Sequence, residues 1–319
     1  MKTKIEIMKR TSLAILMLAL FWISCKKDKL EVTNETVYSS TQQFLNQHAA
    51  KSQFFTFNDS VGGVFTSTKG SVITVLPNSF TANGNVVTGN VTLEFKDVYS
   101  KTDMIFTDKS TVLLFGGILK SAGMFFVRVK QGTQTLDLAQ GKSIKVFQPA
   151  GNTGFMDSAM VPFAFVPDSS LTTWGWGQTT TDTMNFLTNG YLFSLYNLTN
   201  PLDSGTWSNS DNASFFSAYP QTSLTLLEAD APALYGTQVY LVFPGVNAMV
   251  HVYNLSQNNF TYSYAPLGLN CTMIAIGVKD KKLYYAKQNF TISSNYSTTF
   301  TMTETTSNDL LALLNSLNN

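Results

Sequence analysis

The 319-residue chain holds two histidines, His48 and His251, so imidazole chemistry would have to run through one of them. A general base needs an oriented carboxylate behind it and a nucleophile in front. His48 sits in a weakly amphipathic stretch and His251 in the strand-like run Val250-His251-Val252-Tyr253, neither with such partners beside it in sequence. The Gly-x-Ser-x-Gly elbow of many esterases does not occur. Metal chemistry fares no better: His-Glu-x-x-His, clustered cysteines and the Asp-rich calcium loop are all missing. Asp203 and Asp211, with Asn209 between them, come nearest, and polar turn chemistry explains that loop more simply. Gly84 and Gly89 precede strands, and Asn-Val rather than Lys-Ser/Thr follows each of them, so phosphate cradling is not expected there either. The expectation is a protein without catalytic residues, metal or cofactor.

Binding through aromatic surfaces is the chemistry that residue types do permit. Trp174, Trp176 and Trp207, with Tyr191 and Tyr219 near them in sequence, could stack on the C–H faces of sugar rings. The competing reading is packing, because aromatics supply much of the buried area of a β-sandwich.

Composition narrows the class. Charged residues make up 13% of the chain, about half the usual share, while 44% is hydrophobic and Phe alone occurs 24 times. Sizeable cores are therefore expected. Lys and Arg number 21 against 20 Asp and Glu, and a net charge of +1 argues against a nucleic-acid partner.

The first 25 residues read as an address. Lys2, Lys4, Lys9 and Arg10 precede a nearly unbroken apolar run from Ser12 to Ile23, about a dozen residues against the ~20 needed to span a bilayer. Ser24 then places a small residue before Cys25. This pattern resembles the lipobox of bacterial lipoproteins, with Trp22 standing where leucine is usual. The resemblance implies a signal peptide over 1–24, acylation of the Cys25 thiol and a membrane anchor that does not cross the bilayer. Cys25-Lys26-Lys27-Asp28 is similar to the mature start of many Bacteroidota lipoproteins, and Lys26 in place of an aspartate implies the outer membrane of a Gram-negative cell, facing either the periplasm or the outside. Cys271 would then be the one thiol left, in the strand-like run Cys271 to Ile276, where a buried core residue is expected.

From about Phe57 the period of the pattern is two. Val91, Leu93 and Phe95 alternate with polar neighbours, as do Val127 and Val129, and glycine- or asparagine-containing turns separate the runs. Ten-residue helical patterns do not intervene, so an all-β chain of two sandwiches is expected rather than a doubly wound sheet. Gly62-Gly63-Val64-Phe65, Gly70 to Pro77 with Phe80, Val91 to Tyr99, Gly123-Met124-Phe125 and Ile144 to Pro149 resemble the β-sandwich of zonula-occludens proteins, ankyrins and netrin receptors. Some members of that family cut themselves at a His-Ser or His-Phe-Ser step, which this chain lacks. Trp207 to Asp211 and Ala265 to Gly268 are similar to the C-terminal part of Bacteroidota lipoproteins. The expected plan is a lipid-anchored stalk with a short helix over 25–56, a first sandwich over 57–150, a linker over 151–188 and a second sandwich over 189–319. Ser307 and the leucines from Leu310 to Leu317 predict a closing helix with a serine cap.

Three triplets, Asp59-Ser60-Val61, Asp157-Ser158-Ala159 and Asp182-Thr183-Met184, are similar to O-glycosylation acceptors of Bacteroidota envelope proteins, which makes Ser60, Ser158 and Thr183 candidate attachment points. Removing the signal segment takes away four basic residues and Glu6, which turns +1 into about −2. From Val146 to Val278 there is no Lys or Arg at all. The expected protein is a membrane-anchored structural or interaction module with a protein or glycan partner at the cell surface, the alternative being a carbohydrate binder that uses exposed Trp and Tyr.

Overall fold

The computed structural model describes residues 36–167, 174–198, 205–229, 235–256 and 258–318. Val37 to Asn319 form one compact unit. Its chain opens with helix α1 (Thr41–His48), capped by the Ser40 hydroxyl on the Gln43 amide. Strands β1 (Gln53–Asn58), β2 (Gly63–Thr66), β3 (Val72–Val75) and β4 (Asn90–Val98) follow. Helix α2 (Lys101–Thr107) comes next, started by a capping box in which Ser100 and Asp103 satisfy each other's amides. After it run β5 (Lys120–Gln131), β6 (Ile144–Pro149), β7 (Val161–Pro167) and β8 (Trp174–Gln178). The first half ends with β9 (Thr183–Leu187), β10 (Gly190–Leu195) and β11 (Thr206–Asn212).

These strands form two facing sheets, in the orders β1-β4-β5-β11-β7-β8 and β9-β10-β6-β3-β2. Alternation decides what meets between them. Leu93, Phe95, Phe125 and Val127 from one sheet pack on Ile73, Val75, Ile144, Val146 and Phe193 from the other. The second half contributes β12 (Gln221–Glu228), β13 (Gln238–Val242), β14 (Met249–Val252), β15 (Asn259–Pro266), β16 (Asn270–Lys279), β17 (Lys282–Thr291) and β18 (Tyr296–Phe300), then helix α3 (Ser307–Asn315). Sheet β14-β13-β16-β17 faces sheet β15-β12-β18 across Val239, Leu241, Met273, Leu224, Leu226 and Phe260. The chain is mainly all-β, with short helices.

A third core joins the two sandwiches. Met124, Phe126 and Trp207 on the outer face of the first meet Tyr240, Val242, Ile274 and Ile276 on the outer face of the second, with Phe44, Met104, Leu310 and Leu314 from the three helices filling the layer. Burial on both faces explains why Cys271 to Val278 reads as a continuous apolar run.

Several expected boundaries are corrected by the strand pairing. The stretch 151–188, expected as a linker, carries β7, β8 and β9 of the first sandwich. Strands β10 and β11, expected in the second sandwich, pair with β6 and β5 of the first. The expected stalk over 25–56 ends in folded structure, since Tyr38, Phe44 and Leu45 are core residues and the Thr41 hydroxyl donates to the Tyr235 carbonyl at 3.0 Å. Helix α3 covers the shared layer rather than the second sandwich's own core, and its cap is Thr306 rather than Ser307. Residues 1–24 and Cys25 lie outside the described residues.

Candidate functional site

Among the described side chains, Trp176 and Trp207 do not form a sugar platform. Trp176 is 0% exposed, its indole N–H donates to the Ser110 carbonyl at 2.7 Å, and its ring meets Phe165 edge-on. Trp207 is 4% exposed and packs on Phe126. The side chain of Trp174 lies outside the described part of the structure. The Trp-Gly-Trp-Gly run is a packing edge, in which a Cβ on Gly175 would meet the Leu114 backbone at 2.5 Å. What closes over it is the hairpin 110–117, whose Leu114 amide donates to the Trp176 carbonyl while the Trp176 amide donates to Val112.

That same hairpin builds a cleft. Its tip turns between Leu113 and Gly116, with the Gly116 amide donating to the Leu113 carbonyl at 3.0 Å. Gly116 has φ +90°, and a Cβ there would land inside the Tyr264 ring, so glycine is needed for both the turn and the close approach. Between the hairpin, the end of β14 and strand β15 lies a cavity of about 300 Å³ walled by Leu113, Leu114, His251, Tyr253, Tyr262 and Tyr264. Tyr253 and Tyr264 present 47% and 41% of their surface to solvent, and Phe115 at the hairpin tip is 78% exposed. The hydroxyl residues Ser110, Thr261 and Ser263 border the same space.

Beneath the cleft an acid and an imidazole meet. Asp108 terminates α2 in the left-handed conformation, φ +51°, and its Oδ1 lies 2.8 Å from His251 Nδ1. Burial opposes ionisation of Asp108, but the adjacent His251 ring, helped by Lys109, holds its carboxyl below the usual range. The imidazole packs at a tilt against both Tyr240 and Tyr253, with ring centroids 4.9 and 4.3 Å away. Burial and the Asp108 charge push the Tyr253 phenol up to about 12, and burial raises the Tyr240 phenol as well, so both remain neutral hydroxyls at physiological pH. An acid–imidazole pair is two parts of a nucleophile-activating relay. Among the described residues, no serine, threonine or cysteine is hydrogen-bonded to His251. What the cleft offers is aromatic faces, hydroxyls and one oriented imidazole.

The remaining sequence-nominated positions scatter. His48 closes α1 and its ring packs on Phe44 and Phe106. Cys271 is buried, and burial raises its thiol far out of the nucleophilic range. Ser60, Ser158 and Thr183 are all exposed, while the acids before them do structural work. Asp59 accepts from the Ser79 amide at 3.0 Å, Asp157 from Lys120 at 2.9 Å, and Asp182 from the Tyr196 amide at 2.9 Å. Among the described residues, no three of His, Cys, Asp and Glu converge as a metal site.

No protein-family model matches the chain, and comparison with curated proteins finds no match. The cleft escaped sequence reasoning because its walls come from three distant segments. The one local signal was the pair of tyrosines in Tyr262-Ser263-Tyr264, spaced to share a strand face.

Proposed function

We propose that this protein is a lipid-anchored binding module of the bacterial outer membrane, held by Cys25 and non-enzymatic, and that the tyrosine cleft beside Gly116 receives a carbohydrate. The observation that carries the reading is the placement of two half-exposed tyrosine rings around one cavity, Tyr253 just past the end of β14 and Tyr264 on β15. Open aromatic faces match the C–H faces of a pyranose, and Ser110, Thr261, Ser263 and His251 supply hydrogen-bonding groups for its hydroxyls. Support for sugar binding therefore moves from the tryptophans to the tyrosines. The chain from Cys25 to Thr36 is about eleven residues, so the anchor would keep the folded unit within about 40 Å of the membrane.

The test is a glycan panel read by titration against the purified protein. Tyr253→Ala and Tyr264→Ala should each weaken the best ligand by about tenfold, a typical worth for one aromatic contact. A panel without a ligand, or tyrosine variants that bind like the parent, would remove the reading. In cells, Cys25→Ala should release the protein from the membrane fraction, and persistent membrane association would remove the anchoring claim.

A further inference from the structure

A roomier cavity, about 470 Å³, lies away from the tyrosine cleft, at the end of β16 and β17 beside the residues that follow α3. Its apolar surface comes from Val242, Pro244, Phe290 and Leu317. The polar residues around it are arranged by register: Asn270 faces Thr291, Thr272 faces Asn289, and Ile274 faces Lys287. Successive rungs on one face of a strand lie about 7 Å apart. The donors Asn270, Asn289 and Lys287 therefore occupy three consecutive rungs of the same sheet face.

The hydrogen bonds inside this ladder leave a one-sided chemistry. The Thr272 hydroxyl donates to Asn289 Oδ1 at 2.9 Å, and the Thr291 hydroxyl donates to Asn270 Oδ1 at 2.8 Å. Both amide oxygens are thus engaged, while the two amide NH2 groups and the Lys287 ammonium have no protein partner among the described residues. The Ser316 hydroxyl is spent on the Leu313 carbonyl at 2.6 Å. Among the described residues, no aspartate or glutamate lines the cavity. The site is rich in donors, carries one positive charge and has an apolar wall.

We propose that this groove binds a small organic monocarboxylate. Its charge would meet Lys287, its oxygens the amides of Asn289 and Asn270, and its carbon skeleton Val242 and Leu317, which lie on the same outer side of the sheet. A single cation suits a single negative charge, whereas a phosphate dianion is ordinarily met by several cations or by a row of backbone amides. The volume falls within the range of small-ligand sites.

Calorimetric titration of the purified full chain decides the matter, using hexanoate and glucuronate, their uncharged counterparts hexanol and glucose, and inorganic phosphate. At least one acid should bind at least tenfold more tightly than its uncharged counterpart. Lys287→Met should weaken that acid tenfold or more, Asn289→Asp should abolish binding by placing a carboxylate in the groove, and Tyr264→Ala should leave it unchanged. Equal binding of acid and counterpart, no binding of either acid, or an unaffected Lys287→Met variant would overturn the proposal, and phosphate binding tighter than both acids would overturn the carboxylate assignment. The Tyr264 arm separates this groove from the tyrosine cleft, so either site can fail alone.

Discussion

Replacing Asp211 on β11 should change the pH dependence of this protein's stability. That residue is fully buried, and neither carboxyl oxygen makes a well-formed hydrogen bond. Burial pushes its carboxyl well above the ordinary range, and Ser121 offsets this only in part because that hydroxyl is committed to Asn209 Oδ1 at 2.8 Å. The unfolded chain ionises Asp211 near pH 4, whereas the folded chain keeps the proton to a much higher pH. Between those limits the folded state binds one more proton than the unfolded state, so raising the pH favours unfolding by about 1.4 kcal/mol per pH unit. Asp211→Asn keeps the shape and removes the titration. Its stability relative to the parent should be pH-independent below about pH 4, then rise by about 1.4 kcal/mol per unit up to the folded-state value and level off. Every other titrating group is common to both proteins and cancels in the difference. Urea unfolding followed by the fluorescence of the buried Trp176 and Trp207, at intervals from pH 4 to 8, measures this directly. Parallel pH profiles for the two proteins, or a parent that gains on the variant as pH rises, would refute the argument.

Two further outcomes test the packing. Gly116→Ala carries the left-handed backbone penalty of roughly 1–2 kcal/mol and also drives a methyl into Tyr264, whereas Gly132→Ala, with φ +59° and open space around it, carries the backbone penalty alone. Thermal unfolding should therefore show Gly116→Ala as clearly the worse of the two, and equal losses would mean that the Tyr264 contact is not needed. Phe44→Ala should cost about 3–5 kcal/mol by emptying a core position shared with α2. A change below 1 kcal/mol in denaturant titration would instead mark α1 as a tether.

The β class was legible wherever one strand face was apolar and the other polar, as at Val91, Leu93 and Phe95. Strand β11 was invisible for the opposite reason. Thr206–Asn212 is buried throughout yet polar, and partners elsewhere make that burial tolerable, among them Ser121 for Asn209, Gln148 for Ser210 and Asp157 for Asn212. A hydrophobicity pattern carries no trace of hydrogen bonds to other strands. Helix α2 was missed although its Ser100 to Asp103 capping spacing was present, because seven residues are too few for a helical period to stand out.

Residue types alone determined that the chain is charge-poor, rich in aromatics, built of strands and without a familiar catalytic or metal motif. Exposure was decided only by tertiary structure. Trp176 and Tyr264 are both large aromatics on strands, but the hairpin 110–117 buries the first and opens a cleft beside the second. The pairing of Asp108 with His251 likewise exists only because α2 ends where β14 passes. Local periodicity reports which face of a strand is apolar; what comes to cover that face is set by segments far away in the chain, and that is where the candidate sites of this protein arise.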